Sequence, residues 1–227
     1  MPPFDGAAPD ATWFRALAAA MKTAYAERLH GLGEAEPQAA ESCTTHLTTC
    51  DADGGMVAMT TTLLSSMGSR VVLPGSGVLM NNGIMWFDPR PGRPNSLAPG
   101  KRPLTNMLPA ILRDGDRPVL GAGASGGRRI MAAVLQLLAF VAGFGMTPEE
   151  AAHHPRIDVS DPANVDADQR LAPDILAALE TDSPLGHVEH AVLPVNFACP
   201  NLIHVDGDVR TGISDVMSPW SSAVAQA

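Results

Sequence analysis

The sequence predicts an α+β fold with stacked layers, on three observations. Threonine-rich and other β-prone segments cluster in the middle of the chain, and helical periodicity lies on either side of them. The hydrophobic share is 45% of 227 residues, which is enough to fill the core of one domain. No internal repeat or disorder-prone composition interrupts the chain. Strands that cluster between helices are typical of a layered α+β protein.

The first predicted element is a helix over residues 12–32, where apolar residues recur at steps of three and four. These residues are Phe14, Leu17, Met21, Tyr25 and Leu29. Asp10 or Thr12 can cap its start, and two glycines after it supply stop signals. The polar run over 34–43, which contains a proline, is expected to be a loop.

A β-hairpin is predicted next. Two β-prone runs, 45–50 and 56–64, flank a turn at 51–55 that is rich in aspartate and glycine. An open proline-rich loop at 88–100 follows. Further strands are expected at 103–112 and 117–120.

The second half of the chain is expected to begin with a glycine-rich turn at 121–127, which leads into a helix from Arg128. Thr147 and Glu150 have the spacing of a capping box and predict a short helix that ends at Pro155. The remaining expected elements are a helix over 171–180 and strands over 188–195 and 201–205.

Charge and composition exclude several classes of function. The net charge is −9 and no Lys/Arg block occurs, so we expect neither a nucleic-acid partner nor an anionic membrane surface. The most apolar run, 130–146, is short for a membrane span and predicts a core helix. The N-terminus lacks a signal-peptide pattern, so the expected compartment is the cytoplasm, or the periplasm if the chain lacks its start.

No metal or cofactor is expected. The three cysteines, Cys43, Cys50 and Cys199, are too scattered for a disulfide framework or a zinc site. The paired histidines at 153–154 lack companion ligands at sensible spacing. The pattern G-x-G-x-x-G occurs at 121–126, but a dinucleotide site needs an acidic residue at the end of a second strand about 20 residues on. The acidic residues found at that distance begin a helix instead.

The first chemically informative segment is Thr44-Thr45-His46. A threonine hydroxyl is a poor nucleophile unless a base accepts its proton. If the chain were cut between Cys43 and Thr44, the new α-amine of Thr44, with a pKa near 8, could be that base. The Thr44 hydroxyl could make this cut itself by attacking the Cys43 carbonyl.

A series of further motifs follows in one order. These are D-x-D-G-G, V-A-M-T-T-T, G-S-R-V-V-L-P-G-S-G-V-L-M-N-N, P-N-S-L-A-P-G-K-R-P-L and G-A-S-G-G-R-R-I. Over 44–154 the series resembles the small, catalytic subunit of γ-glutamyltransferases, and a weaker likeness continues through Pro155-Arg156 to 212–215. Residues 24–33 resemble the end of that family's large subunit. The resemblance implies an N-terminal-nucleophile hydrolase with a four-layer αββα sandwich, divided into a remnant at 1–43 and a catalytic region at 44–227.

The resemblance also implies roles for single residues. Thr44 matches the nucleophile, released by autocleavage of the Cys43–Thr44 bond, and Thr62 matches the threonine that orients it. Gly126 and Gly127 match the backbone donors of the oxyanion hole. Physical chemistry favours the glycine assignment independently, because glycines before a helix let N–H groups approach a ligand and the helix N-terminus favours negative charge.

The predicted substrate-binding residues depart from the family pattern. Met85 and Trp86 stand where the family has an acidic pair that binds the ammonium of a glutamyl group. Thr105 and Asn106 replace a serine pair, although their side chains can still bind a carboxylate or carbonyl. Leu64 and Trp86 would make the acyl pocket more apolar, which suits a glutaryl-type acylase. The predicted substrate-binding residues are Asn82, Trp86, Thr105 and Asn106.

Two functions therefore follow from the sequence. The first is an autoprocessed threonine amidohydrolase or acyltransferase that acts on γ-glutamyl or glutaryl-type amides. The alternative is a non-catalytic subunit that acts in binding or assembly. Since the family's large subunit is mostly absent, a separate large-subunit-like chain or self-association is expected to cover an apolar face.

Overall fold

The computed structural model describes residues 4, 8–33, 42–161, 163–192 and 197–226, and each structural statement below concerns these residues. The helices are α1 (Ala11–His30), α2 (Arg129–Leu138), α3 (Pro148–His153) and α4 (Pro173–Asp182), with a 3₁₀ turn at Gly83–Trp86 and a π-helical turn at Ala139–Gly143. The strands are β1 (Ser42–Cys50), β2 (Met56–Ser65), β3 (Ala110–Asp114), β4 (Arg117–Ser125), β5 (Ile157–Asp158), β6 (Val165–Asp168), β7 (Leu185–Val188), β8 (Cys199–Asp206) and β9 (Val209–Ser214).

The strands form three sheets. β1 and β2 pair as an antiparallel hairpin, and β3, β4, β8 and β9 form a four-stranded antiparallel sheet in the order β3-β4-β8-β9. β5, β6 and β7 form a small mixed sheet, in which β6 and β7 are parallel. The hairpin packs on one face of the four-stranded sheet, and α2 and α3 pack against its strands from the other side.

The hairpin lies very close to β4 because β4 carries glycine on the facing side. A Cβ atom on Gly123 would collide with the ring of His46. A Cβ atom on Gly121 would lie 2.7 Å from both the Sδ of Met56 and the Cγ2 of Thr48. Residues 121–125 therefore belong to β4, and the predicted glycine-rich turn at 121–127 is wrong for these five positions.

The opposite face of β4 is apolar and contacts the helical layer. Leu120, Ala122 and Ala124 alternate with the glycines and are fully buried. The same core includes α1, whose inward face is entirely buried. The buried residues of α1 are Trp13, Phe14, Leu17, Ala18, Met21 and Tyr25. The helix predicted over 12–32 is thus confirmed, and Asp10 caps it by accepting a 2.8 Å hydrogen bond from the Trp13 N–H.

The strongest local patterns are confirmed. The predicted hairpin is present with its turn at 51–55, and the capping box of Thr147 and Glu150 begins α3. The helix expected over 171–180 is α4, shifted two residues along the chain.

The strand boundaries were predicted less well. The strand expected over 103–112 begins only at Ala110. Pro103 and Pro109 have no backbone N–H to donate to a neighbouring strand, which disfavours strand pairing before Ala110. The strand expected over 188–195 corresponds to β7, which ends at Val188; residues 193–195 of that range lie outside the described residues. The loop expected over 34–43 lies mostly outside them as well, and its last residues, Ser42 and Cys43, belong to β1.

The outward face of the hairpin exposes three large apolar side chains among threonines. Leu47, Val57 and Met59 are 37%, 52% and 47% exposed, and no described element covers them. Within the described part of the chain, no helix is long and apolar enough to cross a membrane. The described layers are therefore hairpin, sheet and helices, with the outer side of the hairpin open.

A buried ion pair joins two distant segments of the chain. The Nη2 of Arg156 lies 2.9 Å from the Oδ2 of Asp215, and both side chains are almost completely buried. The Nε2 of His190 lies 3.5 Å from the other oxygen of Asp215. Arg156 and Asp215 lie at the two ends of the weaker sequence likeness, and the fold brings them together.

We expect Arg156→Met to lower the free energy of unfolding by about 3–5 kcal/mol, because it leaves the Asp215 carboxylate buried without its cation. Asp215→Asn in the same chain should recover part of this loss, since the amide carries no charge. Urea unfolding of the single and double variants measures the difference. Arg15→Met removes the exposed pair with Asp182 and should cost less than about 1 kcal/mol. The prediction would be contradicted if the changes in unfolding free energy of Arg156→Met and Asp215→Asn simply added up in the double variant.

Candidate active site

A chain of hydrogen bonds connects the predicted nucleophile to the bond before it. The Thr44 hydroxyl donates to the Thr62 hydroxyl oxygen at 2.9 Å, and the Thr62 hydroxyl donates to the Cys43 carbonyl oxygen at 3.0 Å. Thr44 and Thr62 are register partners in the hairpin. One hydroxyl therefore contacts both the attacking oxygen and the carbonyl that this oxygen would attack in autocleavage.

The backbone around Thr62 fixes its orientation. The Leu64 N–H donates to the Thr62 hydroxyl oxygen at 2.9 Å, so that oxygen accepts two hydrogen bonds and donates one. Leu64 has a φ of 73°, a strained conformation for this residue type that costs on the order of 1 kcal/mol or more. The strand register also shifts between Cys43 and Thr44. The irregular backbone thus lies at the predicted cleavage point and at the residue that faces it.

The packing of the hairpin on β4 predicts where Thr44 lies relative to the proposed oxyanion glycines. A Cβ atom on Gly123 would meet His46 and one on Gly121 would meet Thr48, so a step of two residues along β1 corresponds to two residues in the opposite direction along β4. Side chains two apart share a face of a strand. Continued by one step, this progression predicts that Thr44 faces Ser125, the residue that precedes Gly126.

Gly126 and Gly127 occupy the connection between β4 and α2, and both require glycine. Gly126 has a φ of 142°, and a Cβ atom there would lie 2.7 Å from the Cα of Ala198. Gly127 has a φ of 62°, and a Cβ atom there would meet nothing within 4 Å. The two glycines therefore let the chain turn sharply from the strand into the N-terminus of a ten-residue helix, where negative charge is favoured.

His46 lies in a buried polar network between the hairpin and the sheet. Its Nδ1 is 2.8 Å from the Thr60 hydroxyl and its Nε2 is 3.1 Å from the Thr48 hydroxyl. The Thr48 hydroxyl donates to the Oδ1 of Asn201 at 2.9 Å, so it can only accept from His46. This assigns the proton to Nε2 of a neutral ring whose Nδ1 accepts from Thr60. Desolvation by burial lowers the pKa of His46 to about 4, which keeps the ring neutral.

The predicted substrate-binding residues fall into two groups. The amide of Asn82 is used within the protein, since its Nδ2 donates to the Ser65 hydroxyl at 2.8 Å and its Oδ1 accepts from the Ser65 N–H at 3.1 Å. Trp86 is half-buried, and its carbonyl accepts from Asn95. Asn82 and Trp86 therefore help to hold the segment that follows β2.

Thr105 and Asn106 lie in an irregular segment before β3 and are held by α1. The Nη2 of Arg28 donates to the Thr105 carbonyl at 2.7 Å and to the Asn106 Oδ1 at 2.9 Å. On the same helix, the Tyr25 hydroxyl donates to the carbonyl of Arg128, the residue after Gly127. No periodic pattern in the sequence indicates these contacts, because they join residues 77 to 103 positions apart.

The hairpin, sheet and helices have the architecture of the catalytic half of an N-terminal-nucleophile hydrolase. The chain belongs to the gamma-glutamyltranspeptidase family, whose model matches residues 10–224. This assignment confirms the resemblance seen in the motifs.

The relatives include proteins named glutathione hydrolase and proteins named acylase. The glutathione hydrolase proenzyme of Bacillus subtilis (strain 168) is 34% identical over 177 residues, which cover 77% of this chain and 30% of that protein. The acylase ACY 1 proenzyme of Pseudomonas sp. (strain SE83) is 39% identical over 114 residues, or 50% of this chain and 20% of that protein. The chain therefore spans less than a third of the length of these relatives.

A solved structure gives the same assignment. The gamma-glutamyltranspeptidase from Pseudomonas nitroreducens, complexed with L-DON, matches with a TM-score of 0.66 and 27% identity. The match covers 80% of this chain and 100% of that chain.

The buried His46 makes the protein sensitive to acid. Its pKa is about 4 in the folded state and about 6.5 in the unfolded state, so between these values only the unfolded chain takes up the proton. Stability should therefore fall as the pH drops from 6.5 to 4, by about 3 kcal/mol for this group. Urea unfolding across this range should show a smaller loss for His46→Gln than for the parent chain. The matched control is His30→Gln, which changes an exposed histidine on α1. Equal acid sensitivity of all three proteins would contradict the assignment.

Proposed function

We propose that this chain is the catalytic part of an autoprocessed threonine amidohydrolase or acyltransferase, with Thr44 as the nucleophile. The observation that carries this proposal is the hydrogen-bonded series from the Thr44 hydroxyl through Thr62 to the Cys43 carbonyl. If Thr44 and Thr62 had only a structural role, Thr62 would not need to donate to the carbonyl directly before Thr44. Membership of a family whose relatives are named proenzymes supports the same interpretation.

The first reaction is the cut between Cys43 and Thr44. The Thr44 oxygen attacks the Cys43 carbonyl carbon and transfers its proton toward the Thr62 oxygen. The carbon–nitrogen bond then breaks as the Thr44 nitrogen takes up that proton, which frees the α-amine and leaves an ester between Cys43 and the Thr44 side chain. Water hydrolyses this ester and releases a carboxylate on Cys43 and the hydroxyl of Thr44. The chain is thereby divided into 1–43 and 44–227.

In the second reaction the freed Thr44 acts on an amide substrate. Its hydroxyl attacks the amide carbonyl while its α-amine accepts the proton and passes it to the leaving amine. The N–H groups of Gly126 and Gly127 bind the oxyanion, and one such donor contributes on the order of 3 kcal/mol to the transition state. The resulting acyl-enzyme is released by water or by an amine acceptor.

The proposed substrates are γ-glutamyl or glutaryl-type amides. Met85 and Trp86 carry no charge, so the place where the family binds a glutamyl ammonium lacks a carboxylate. A charge-assisted hydrogen bond of roughly 1.5–3 kcal/mol is therefore missing from that position. This favours acyl groups without an α-ammonium.

A second candidate function is binding or assembly without catalysis. The outward face of the hairpin, with Leu47, Val57 and Met59, is exposed and apolar, which is typical of a surface covered by another protein segment. A separate large-subunit-like chain or a second copy would supply that cover. The test of Thr44 below separates this function from catalysis.

Thr44→Ala should abolish the cut and all amide turnover, because the substitution removes the attacking oxygen. Intact-mass measurement should find the 44–227 fragment in the parent chain but not in the variant. Thr45→Ala is the matched control, since Thr45 is the neighbouring residue on the exposed face of β1. A parent chain that stays intact and inactive, even with a large-subunit-like chain supplied, would leave assembly as the function.

Thr62→Val should slow both the cut and turnover by about ten- to a hundredfold, which corresponds to a cost of roughly 1–3 kcal/mol for leaving the Thr44 hydroxyl and the Cys43 carbonyl without their partner. Valine keeps the shape of threonine and removes only the hydroxyl. Thr61→Val makes the same change on the exposed face of β2 and should leave both rates unchanged. Time courses of fragment formation and anilide hydrolysis measure the two rates. Equal rates for the two valine variants would contradict the role of Thr62.

A further inference from the structure

Asn201 on β8 contacts the hairpin where the hairpin lies against Gly123. Asn201 is the register partner of Gly123 in the four-stranded sheet, and side chains at partner positions share one face of a sheet. A Cβ atom on Gly123 would collide with the ring of His46. The missing side chain of Gly123 therefore leaves room for the His46 ring, and the Asn201 side chain lies beside that space on the next strand.

The Asn201 amide makes two hydrogen bonds to β1. Its Nδ2 donates to the His46 carbonyl oxygen at 2.8 Å, and its Oδ1 accepts from the Thr48 hydroxyl at 2.9 Å. A backbone carbonyl can only accept, so the amide atom that faces it must be the nitrogen. The backbone of β1 thus fixes the orientation of this amide, and the proton between Asn201 and Thr48 must come from Thr48.

The direction of each further bond in this network follows from the first one. The Thr48 hydroxyl donates its proton to Asn201, so it accepts from the Nε2 of His46 at 3.1 Å. The Nδ1 of His46 then accepts from the Thr60 hydroxyl at 2.8 Å. The bonds therefore run from β2 through the two side chains of β1 to β8, and return to the backbone of β1. One amide thereby links both strands of the hairpin to the four-stranded sheet.

These bonds constrain the part of β1 that carries Thr44. His46 follows Thr44 by two residues, and its side chain lies on the same face of the strand. The bond to the His46 carbonyl holds the main chain of β1 itself, so it resists sliding of the strand along the sheet. Misplacement of a reacting group by about 1 Å can lower a rate by about a hundredfold. A loss of these bonds would therefore affect Thr44 even though Asn201 lies on another sheet.

We propose that Asn201 is a positioning residue that holds the start of the hairpin in the register at which Thr44 can attack. It does so by bonding the His46 carbonyl and the Thr48 hydroxyl at once. The proposal rests on the proposed function, since Thr44 must be the nucleophile. Asn201 acts through β1, and its effect should reach both the cut and the later turnover, because the same oxygen attacks in both.

Asn201→Ala removes both bonds to β1. We expect this variant to cut more slowly and to have a kcat for γ-glutamyl and glutaryl anilides that is lower by about ten- to a hundredfold, because Thr44 is less often placed for attack. The KM should change less than about threefold, since both lost bonds join protein groups to each other. Time courses of fragment formation and initial rates of anilide hydrolysis measure these effects on the full chain.

Leu202→Val is the matched control for a general loss of stability. Leu202 is the next residue on β8, and its side chain is buried in the apolar core on the opposite face of the sheet. Urea unfolding gives the folded fraction of each variant, so that rates are compared per folded molecule. The kcat of folded Leu202→Val should equal that of the parent chain. An equal loss of kcat in Leu202→Val and Asn201→Ala would overturn the proposal.

Asn201→Asp and Thr48→Val separate the two bonds. The carboxylate of Asn201→Asp can still accept from Thr48 but offers no N–H to the His46 carbonyl, so kcat should fall about as far as in Asn201→Ala. Thr48→Val should also lower kcat, whereas Thr49→Val makes the same change on the exposed face of β1 and should not. The losses of Asn201→Ala and Thr48→Val should not add up in the double variant, since both act through one network. Full activity of Asn201→Asp would overturn the proposal.

Amide hydrogen exchange separates this proposal from the proposed function, because it requires no turnover. In full-length Asn201→Ala, exchange in β1 should be at least about tenfold faster than in the parent chain, while exchange in α1 stays the same. Unchanged exchange in β1 would overturn the proposal even if Thr44 proved to be the nucleophile. A parent chain that stays uncut and inactive would overturn the proposed function, and faster exchange in β1 would then still support Asn201 as the residue that holds the hairpin.

Discussion

The close approach of the hairpin to β4 is the constraint on which the proposed site depends. Only glycine at 121 and 123 leaves room for the side chains of Thr48 and His46, which lie directly against the backbone of β4. Because these two side chains meet β4 in reverse order, we expect the start of the hairpin over the end of β4. Thr44 is then expected near the turn through Gly126 into α2. A side chain on either glycine would push the hairpin outward and displace Thr44.

The hairpin places polar side chains against the sheet. Thr44, His46 and Thr48 lie on its inward face, and their hydroxyl and ring groups are bonded to other hairpin residues or to Asn201. The outward face carries exposed apolar side chains together with threonines. Polar groups are tolerated inside because each has a partner, whereas exposed apolar groups gain nothing until another segment covers them. The hairpin therefore suits the proposed catalysis on its inward face and the proposed assembly on its outward face.

The sequence predicts the parts of this protein that follow local rules. Helix α1 and the hairpin were predicted because their periodicities and turn residues are strong. The segment 121–125 was mistaken for a turn, because glycines that admit a neighbouring strand look the same in sequence as glycines that bend the chain. Motif matching singled out Thr44 and Thr62, and the structure adds the hydrogen bond between them. The hydrogen bond from Arg28 to Asn106 spans 78 residues, which no local pattern encodes.

The proposed cut would have unequal effects on the two sides of the site. Among the described residues ahead of Thr44, Ser42 and Cys43 pair with the end of β2, so releasing the new chain end would disturb these two ladder positions. Helix α1, in contrast, buries a row of large apolar side chains at roughly 1.5–3 kcal/mol each. The cut can therefore expose the Thr44 amine while α1 stays in the core. Since Tyr25 and Arg28 lie on that helix, their hydrogen bonds to the Arg128 and Thr105 carbonyls would persist after the proposed cut.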